Sequence, residues 1–486
     1  MMLLRARVLS MGIAALLALA GLMIMLSGLG RAEPAATWTV SNVQDSGPGS
    51  LRQAILEANA APGTDVIQIT AVGLITLLSP LPVITEAVSI QGPGAALLAV
   101  DGGNTWRVLA ATAVSLTLTD LTIQHGRPLT GEGGGLWTTG ALTLRGVNIL
   151  SNTAPTQGGG AAVGGSLYME GGRVANNRSV GGIGGGVQAE QAVISGTYFI
   201  SNTAPGQGGG AALGAFSYVS DGRFSANRSL NAHGGGLYAA GPITLTNMVF
   251  QDNSARSDGG GVLAFGQAFV YQSQFINNQG GNRGGALYAG SVLVVENSAF
   301  IANSGGRGGA VYHGVYTGRF TNDLFAGNTA TIAGGQLLLR GPSTVEMRHV
   351  TAVGMGSGTA VYALNSSVSL TNTIIATHAI GIDNVNGSVS EDYTLFFGNG
   401  QDSQGLVSGG GHSLNGDPRF IHADSGNYHL GAGSAAIDTG TDAGIGTDYD
   451  GDVRPLAAGF DIGFDEASPF IAVPPSDQIY LPLVKR

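Results

Sequence analysis

Three kinds of residue recur along this chain on a single beat. Glycine pairs begin at Gly133, Gly158, Gly184, Gly208, Gly234, Gly259, Gly284, Gly308 and Gly334, at spacings of 24 to 26 residues. An asparagine keeps the same interval at Asn152, Asn177, Asn202, Asn227, Asn253, Asn278, Asn303 and Asn328. Three residues before each stands an apolar residue: Ile149, Val174, Phe199, Phe224, Phe250, Phe275, Phe300 and Phe325. Columns locked in phase over this many units restrict the chain to a repeat architecture that grows along one axis. A longer period overlies the first: residues 153–202 resemble 203–253, with TAP, QGGGAA and NRS recurring.

Within a repeat the apolar pattern alternates with period two. Ile243-Thr-Leu-Thr, Ser291-Val-Leu-Val-Val295 and Ala141-Leu-Thr-Leu144 read as strands of about four residues bounded by Gly, Asn and Ser. Such a unit has no helix-length segment and cannot bury its own inner face. It must stack on copies of itself, with parallel strands ~4.8 Å apart. The predicted fold class is therefore all-β, a single-stranded parallel β-helix (a solenoid). The Phe column points inward, as does the column Leu136, Ala161, Val187, Ala211, Leu237, Val262, Leu287, Val311 and Leu337. Burying one such Phe or Leu contributes about 1.5–3 kcal/mol. The Asn column is predicted in tight turns with left-handed dihedrals, its carboxamides bonding from coil to coil. The glycine pairs permit sharp turns and close backbone approach.

Composition agrees. Glycine supplies 82 of 486 residues, but clustered in pairs, which excludes collagen, and 43% apolar with 11% charged residues excludes disorder. Residues 1–32 read as an export signal: Arg5 and Arg7, an apolar stretch from Met11 to Leu29, then Gly30 and Ala32 before cleavage. An uncleaved membrane anchor is the alternative. Either way the body is expected outside the cytoplasm, extracellular or at the cell surface. With no cysteine there are no disulfides and no thiolate metal sites. A formal charge of −10 argues against nucleic acid as a partner. The solenoid is placed at 37–430, with a short N-terminal capping helix at Ser50-Leu-Arg-Gln-Ala-Ile-Leu-Glu-Ala-Asn59, where Ser50 and Gln53 form a capping box. A C-terminal cap is placed at 431–466, and a Pro-rich linker with an apolar, basic tail at 467–486. That tail is too short to span a bilayer, so membrane contact is expected only through the export segment or the tail.

The run Trp38-Thr-Val-Ser-Asn, Asp45-Ser-Gly-Pro-Gly-Ser-Leu-Arg-Gln-Ala-Ile resembles the opening of exported right-handed parallel β-helix proteins. The coils Gly284-Gly-Ala-Leu-Tyr288 and Phe325-Ala-Gly-Asn-Thr-Ala330 resemble the repeats of the polymorphic outer-membrane protein group and, more broadly, pectate-lyase-like proteins. The ending Asp417-Pro-Arg-Phe, Gly433-Ser-Ala-Ala-Ile-Asp438, Asp450-Gly-Asp-Val-Arg-Pro455 and Asp461-Ile-Gly-Phe-Asp-Glu466 resembles the close of such domains. The resemblance spans about 38–466. It implies a right-handed, pectin-lyase-like solenoid that is secreted or surface-exposed and often adhesive, with no family-wide catalytic residues. The outer-membrane group continues into a membrane barrel that is not seen here.

Enzymes on this fold set acids or calcium-binding carboxylates on neighbouring coils, with glycosidase pairs roughly 5–9.5 Å apart. Measured against the Asn column, Glu170, Glu190, Asp221 and Asp252 fall in different registers, and Glu296 shares Glu170's register five coils away. One polar column does align: His233, Asp258, Arg283 and Arg307, each just before a glycine pair. As a site it offers His233 and Asp258 as acid and base, with Arg283 and Arg307 to bind an acidic sugar; otherwise it is a solvated ladder. An outer aromatic column contains Trp137, Tyr238, Tyr288 and Tyr312, able to carry sugar rings or to pack as cross-strand pairs. Asp448, Asp450 and Asp452 resemble part of a calcium loop, but Val453 and Gly459 break the full pattern. Arg454 is the alternative partner for these acids. No other cofactor is expected. The expected function is a carbohydrate-binding, surface-binding, adhesive or structural module, preferred over a polysaccharide lyase or glycoside hydrolase.

Overall fold

The computed structural model describes residues 36–467. The stretch read as an export segment and, beyond Ala467, that read as a linker and tail lie outside the described residues. The chain winds into a parallel β-solenoid, and the coil beginning at Leu237 shows its unit. Strands Leu237–Ala239, Ile243–Thr246, Val249–Gln251 and Ser254–Ala255 follow one another around the axis. Each pairs in parallel with its counterpart one coil on, so that Leu237 faces Val262, Leu245 faces Val270 and Phe250 faces Phe275. Period-two alternation puts Leu237, Ala239, Ile243, Leu245 and Phe250 inside, all fully buried. The phenylalanines form one file from Phe199 to Phe325, with centroids 4.4–5.1 Å apart and planes within 14°.

The asparagines form a second buried file. Each Nδ2 donates to the next Oδ1 at 2.9–3.0 Å, from Asn152 through Asn328. The other Nδ2 hydrogen goes to a backbone carbonyl, as Asn253 to Phe224 O at 2.8 Å. Each Oδ1 also receives the backbone amide of the preceding asparagine, as from Asn227 N at 3.0 Å. Gln336 ends the ladder by accepting from Asn328 and donating to Val353 O. The expected coil-to-coil bonding is present, but the left-handed turn is not at the asparagine. It falls one residue earlier, at Ser201, Ala226, Asp252, Asn277 and Ala302, with φ of +52° to +56°. Even alanine adopts it there, because the ladder on the next residue over-determines the turn. The glycine pairs act as expected. Gly234 has φ +64°, and a Cβ on Gly235 would stand 2.4 Å from Gly260 O.

Near the N-terminus, helix Leu51–Ala60 buries Leu51, Ala54, Ile55 and Ala58 in the interior core. Ser50 Oγ accepts from Gln53 N, but the Gln53 side chain donates to Glu57 instead of reaching back, so only half of the expected capping box forms. Among the described residues no helix is long and apolar enough to cross a membrane.

The segment read as a C-terminal cap takes a different path. After a hairpin of Phe420–His422 and Asn427–Leu430, it doubles back along the flank. Thr441 O accepts from Asn372, Ala443 O from Arg348 and Thr447 O from Asn322, each step one coil earlier. Phe464 then packs outside Ala299 and Leu324. The inward file turns polar one coil before the end: Glu391 follows Val295, Phe320, Met347 and Leu370, and Gly409 of the last coil lies over it. The Glu391 carboxylate accepts the Ser413 hydroxyl.

His378 is 2% exposed, and neither ring nitrogen has an aligned hydrogen-bond partner. Burial pushes its pKa down to about 4, against a weaker pull from the Ala352 carbonyl. The unfolded chain takes up this proton first, so stability falls as pH drops from about 6.5 towards 4, on the order of 3 kcal/mol in all. The raised pKa values of Asp461 (about 6) and Asp465 (about 7) act in the opposite sense, adding stability as pH falls. The informative quantity is therefore a difference. His378→Leu is expected to lose less thermal stability than the wild type between pH 7 and pH 4.5, and equal losses would show that His378 is not a source of the acid sensitivity.

Candidate functional site

The polar column before the glycine pairs is aligned by the backbone. The amide of the first glycine in one coil donates to the column carbonyl of the next: Gly208 to His233, Gly234 to Asp258, Gly259 to Arg283 and Gly284 to Arg307, at 2.9–3.0 Å. The side chains do not continue this regularity. Asp258 is 1% exposed and binds Arg283 through both oxygens, Oδ1 to Nε at 3.0 Å and Oδ2 to Nη2 at 2.7 Å. His233 Nδ1 lies 3.1 Å from Asp258 Oδ2, within ion-pair distance but out of hydrogen-bond alignment. Arg307 stands beside Arg283 in register, yet turns to Asn282 Oδ1 at 3.3 Å. The expected row is thus a His233–Asp258–Arg283 cluster with Arg307 next to it.

Arg283 lies over two aromatic rings, 4.7 Å from the Tyr288 centroid and 5.4 Å from that of Tyr312. The hydrogen bond to Asp258, more than any other influence, raises its pKa further and keeps it charged. Tyr288 and Tyr312 stack at 5.4 Å and 8°, as register requires. Their rings are not an open sugar platform, because both are buried in an outer apolar strip with Leu263 and Leu338. The exposed aromatic is Phe265, 46% exposed, set edge-on to Tyr238 at 5.9 Å and to Tyr288 at 6.1 Å. Arg340 reaches the Tyr312 hydroxyl at 3.4 Å. Neither Arg307 nor Arg340 has a carboxylate partner among the described residues.

Trp137 stands in the same column four coils before Tyr238, beneath Arg107 at 5.7 Å, and takes no part in this cluster. Reading the column alone missed Phe265 and Arg340. Alternation along Leu337–Arg340 places Arg340 outward beside Leu338, a signal that was present in the sequence. The carboxylates judged out of register do not meet one another. Glu170 lies 3.6 Å from Arg145, and Glu296 pairs with Arg319 at 2.5 Å.

The three aspartates of the calcium-like loop do not form a ligand set. Asp448 Oδ1 accepts the amides of Asp450, Gly451 and Asp452, and Oδ2 accepts Glu466 N, so its lone pairs serve the turn itself. Asp450 instead bonds His429 Nε2 at 2.7 Å. The expected alternative partner makes its ion pair with another acid, Arg454 being buried against Glu466 at 2.7 Å, though its charge also acts on Asp448.

No protein-family model matches the chain. No curated protein matches it either. Among solved structures it is similar to the catalytic unit of a thermostable GH87 alpha-1,3-glucanase from Streptomyces thermodiastaticus strain HF3-3. The two are 14% identical over 78% of this chain and 71% of that one, with a TM-score of 0.44. That similarity assigns no activity to this chain.

Proposed function

We propose that the protein is an exported solenoid module that binds an acidic polysaccharide through the face around Arg283, Arg307 and Arg340. The observation that carries this reading is that Arg307 and Arg340 flank a fixed Arg283–tyrosine stack without carboxylate partners among the described residues, on a chain of net charge −10. Asp258 and the two tyrosines hold Arg283 in one orientation, which lowers the ordering cost of binding. The guanidinium fork suits bidentate recognition of a carboxylate or sulfate. Exposed Phe265 offers an apolar edge against which a sugar ring can rest.

The same geometry weighs against general acid or base work by Asp258. Its carboxylate is buried and both oxygens are taken up by Arg283, so neither is presented to a substrate.

The test is a panel of polygalacturonate, alginate and a neutral β-glucan, scored for binding and for release of unsaturated or reducing ends. The expected result is salt-sensitive binding of the acidic polymers alone, without product release. Arg307→Ala combined with Arg340→Ala is expected to weaken binding about tenfold, or ~1.4 kcal/mol. Equal binding of the neutral glucan would overturn the reading. So would product release that Asp258→Ala abolishes, which would make the face an active site.

A further inference from the structure

We infer that His429, Asp450 and Asp465 form a site for one first-row divalent cation of the zinc class, which clamps the C-terminal segment to the hairpin preceding it. Their donor atoms lie within 4.8 Å of one another, and this is the one group of three such residues with that geometry among the described residues. The three come from separate places: His429 from strand Asn427–Leu430, Asp450 from the tight turn around Asp448, and Asp465 from the end of the segment. A shared ion would therefore close two long stretches of chain at once.

The histidine is already oriented. Its Nδ1 lies 2.6 Å from Asn427 Oδ1, and Nε2 faces the carboxylates. An amide oxygen holding one ring nitrogen while the other faces a cation is the usual outer support of a metal-binding histidine. Phe464 packs against the ring at 5.3 Å and restricts its rotation.

Asp465 gives a second, independent indication. Four carboxylates of this segment are buried: Asp448, Asp461, Asp465 and Glu466. Three are well satisfied. Asp448 accepts four backbone amides. Asp461 accepts those of Asp438 and Ala467. Glu466 accepts Arg454 and the amides of Leu456 and Asp461. Asp465, only 7% exposed, accepts Leu430 N alone, through Oδ2. Its Oδ1 accepts no hydrogen bond among the described residues, so this carboxylate keeps one oxygen open to a ligand beside His429 and Asp450. One imidazole nitrogen with two carboxylates suits zinc and its first-row neighbours, with a position left for water. Calcium, which takes six to eight oxygens, is poorly served by this set.

The test uses the full chain, stripped with a chelator and titrated with Zn2+ alone and with Ca2+ alone by calorimetry. The expected result is one Zn2+ per chain, at least about tenfold weaker in His429→Gln and in Asp450→Asn. Zn2+ is also expected to slow proteolysis within 431–467 in the wild type and not in the variants. Both substitutions alter partly exposed side chains, and the metal-free melting curves establish that the variants are folded. The inference is overturned if Zn2+ does not saturate, if both variants bind it as tightly as the wild type, or if Ca2+ binds equally well. In the first two cases His429 and Asp450 are an ion pair and no more.

Discussion

Asn253→Ala is expected to lower stability by about 3–5 kcal/mol, one of the two strongest effects foreseen for this fold. The residue is fully buried in the middle of the asparagine ladder. Its side chain donates to Phe224 O and Asn278 Oδ1 and receives both the backbone and the side-chain amide of Asn227. Alanine removes all four bonds and leaves groups on both neighbouring coils unpaired. No water-filled surface is at hand to replace them, and each orphaned buried group costs about 1–3 kcal/mol. Because each coil contacts only its neighbours, the loss should be local first. Hydrogen exchange is expected to speed up at coils 227 and 278 before more distant ones, together with a lower melting temperature. Exposed Asn231→Ala is the control, expected to stay within about 0.5 kcal/mol. If Asn253→Ala were no worse than this control, the ladder would not be a principal source of cohesion between coils.

The second large effect concerns the C-terminal segment. Arg454 and Glu466 are 0% and 1% exposed at their side chains. Arg454 also donates to Gly463 O at 2.9 Å, so one guanidinium ties several turns of the segment together. Arg454→Met keeps much of the volume but leaves Glu466, with Asp448 and Asp461 nearby, without a counter-charge. Breaking one side of such a buried pair costs about 3–5 kcal/mol. The segment should then undock while the solenoid persists. Limited proteolysis is expected to cut within 431–467 and to spare the coils up to residue 415. Adding Glu466→Gln should restore part of the protection, since it removes the stranded charge. An unchanged digestion pattern in Arg454→Met would mean that the apolar contacts of Phe464 and Ile462 suffice to hold the segment.

The parts of this molecule legible from sequence are those that repeat. Phe250, Phe275 and Phe300 meet the same surroundings a coil apart, so their spacing states both the fold and their inward direction. The same holds for the asparagines, whose ladder needs only that like residues stand in register. The left-handed turn was misplaced by one residue because Asn tolerates that conformation by itself, whereas here its side chain is held inward and Ala226 or Asp252 takes the strained position instead. Outward columns were legible only in part. The backbone fixes where Asp258, Arg283 and Arg307 begin, but a long exposed side chain chooses among partners. Arg283 takes Asp258 and the tyrosines, and Arg307 takes Asn282.

By itself, then, the sequence determined the winding, the strand registers and the two interior files, because a strict period converts spacing directly into neighbourhood. Only the tertiary structure decided the path of residues 431–467, which step back coil by coil from Asn372 to Asn322. It alone brought His429, Asp450 and Asp465 together. The physical reason is that this segment is aperiodic: its contacts depend on how one irregular chain packs across several coils, and such long-range packing has no counterpart in local spacing.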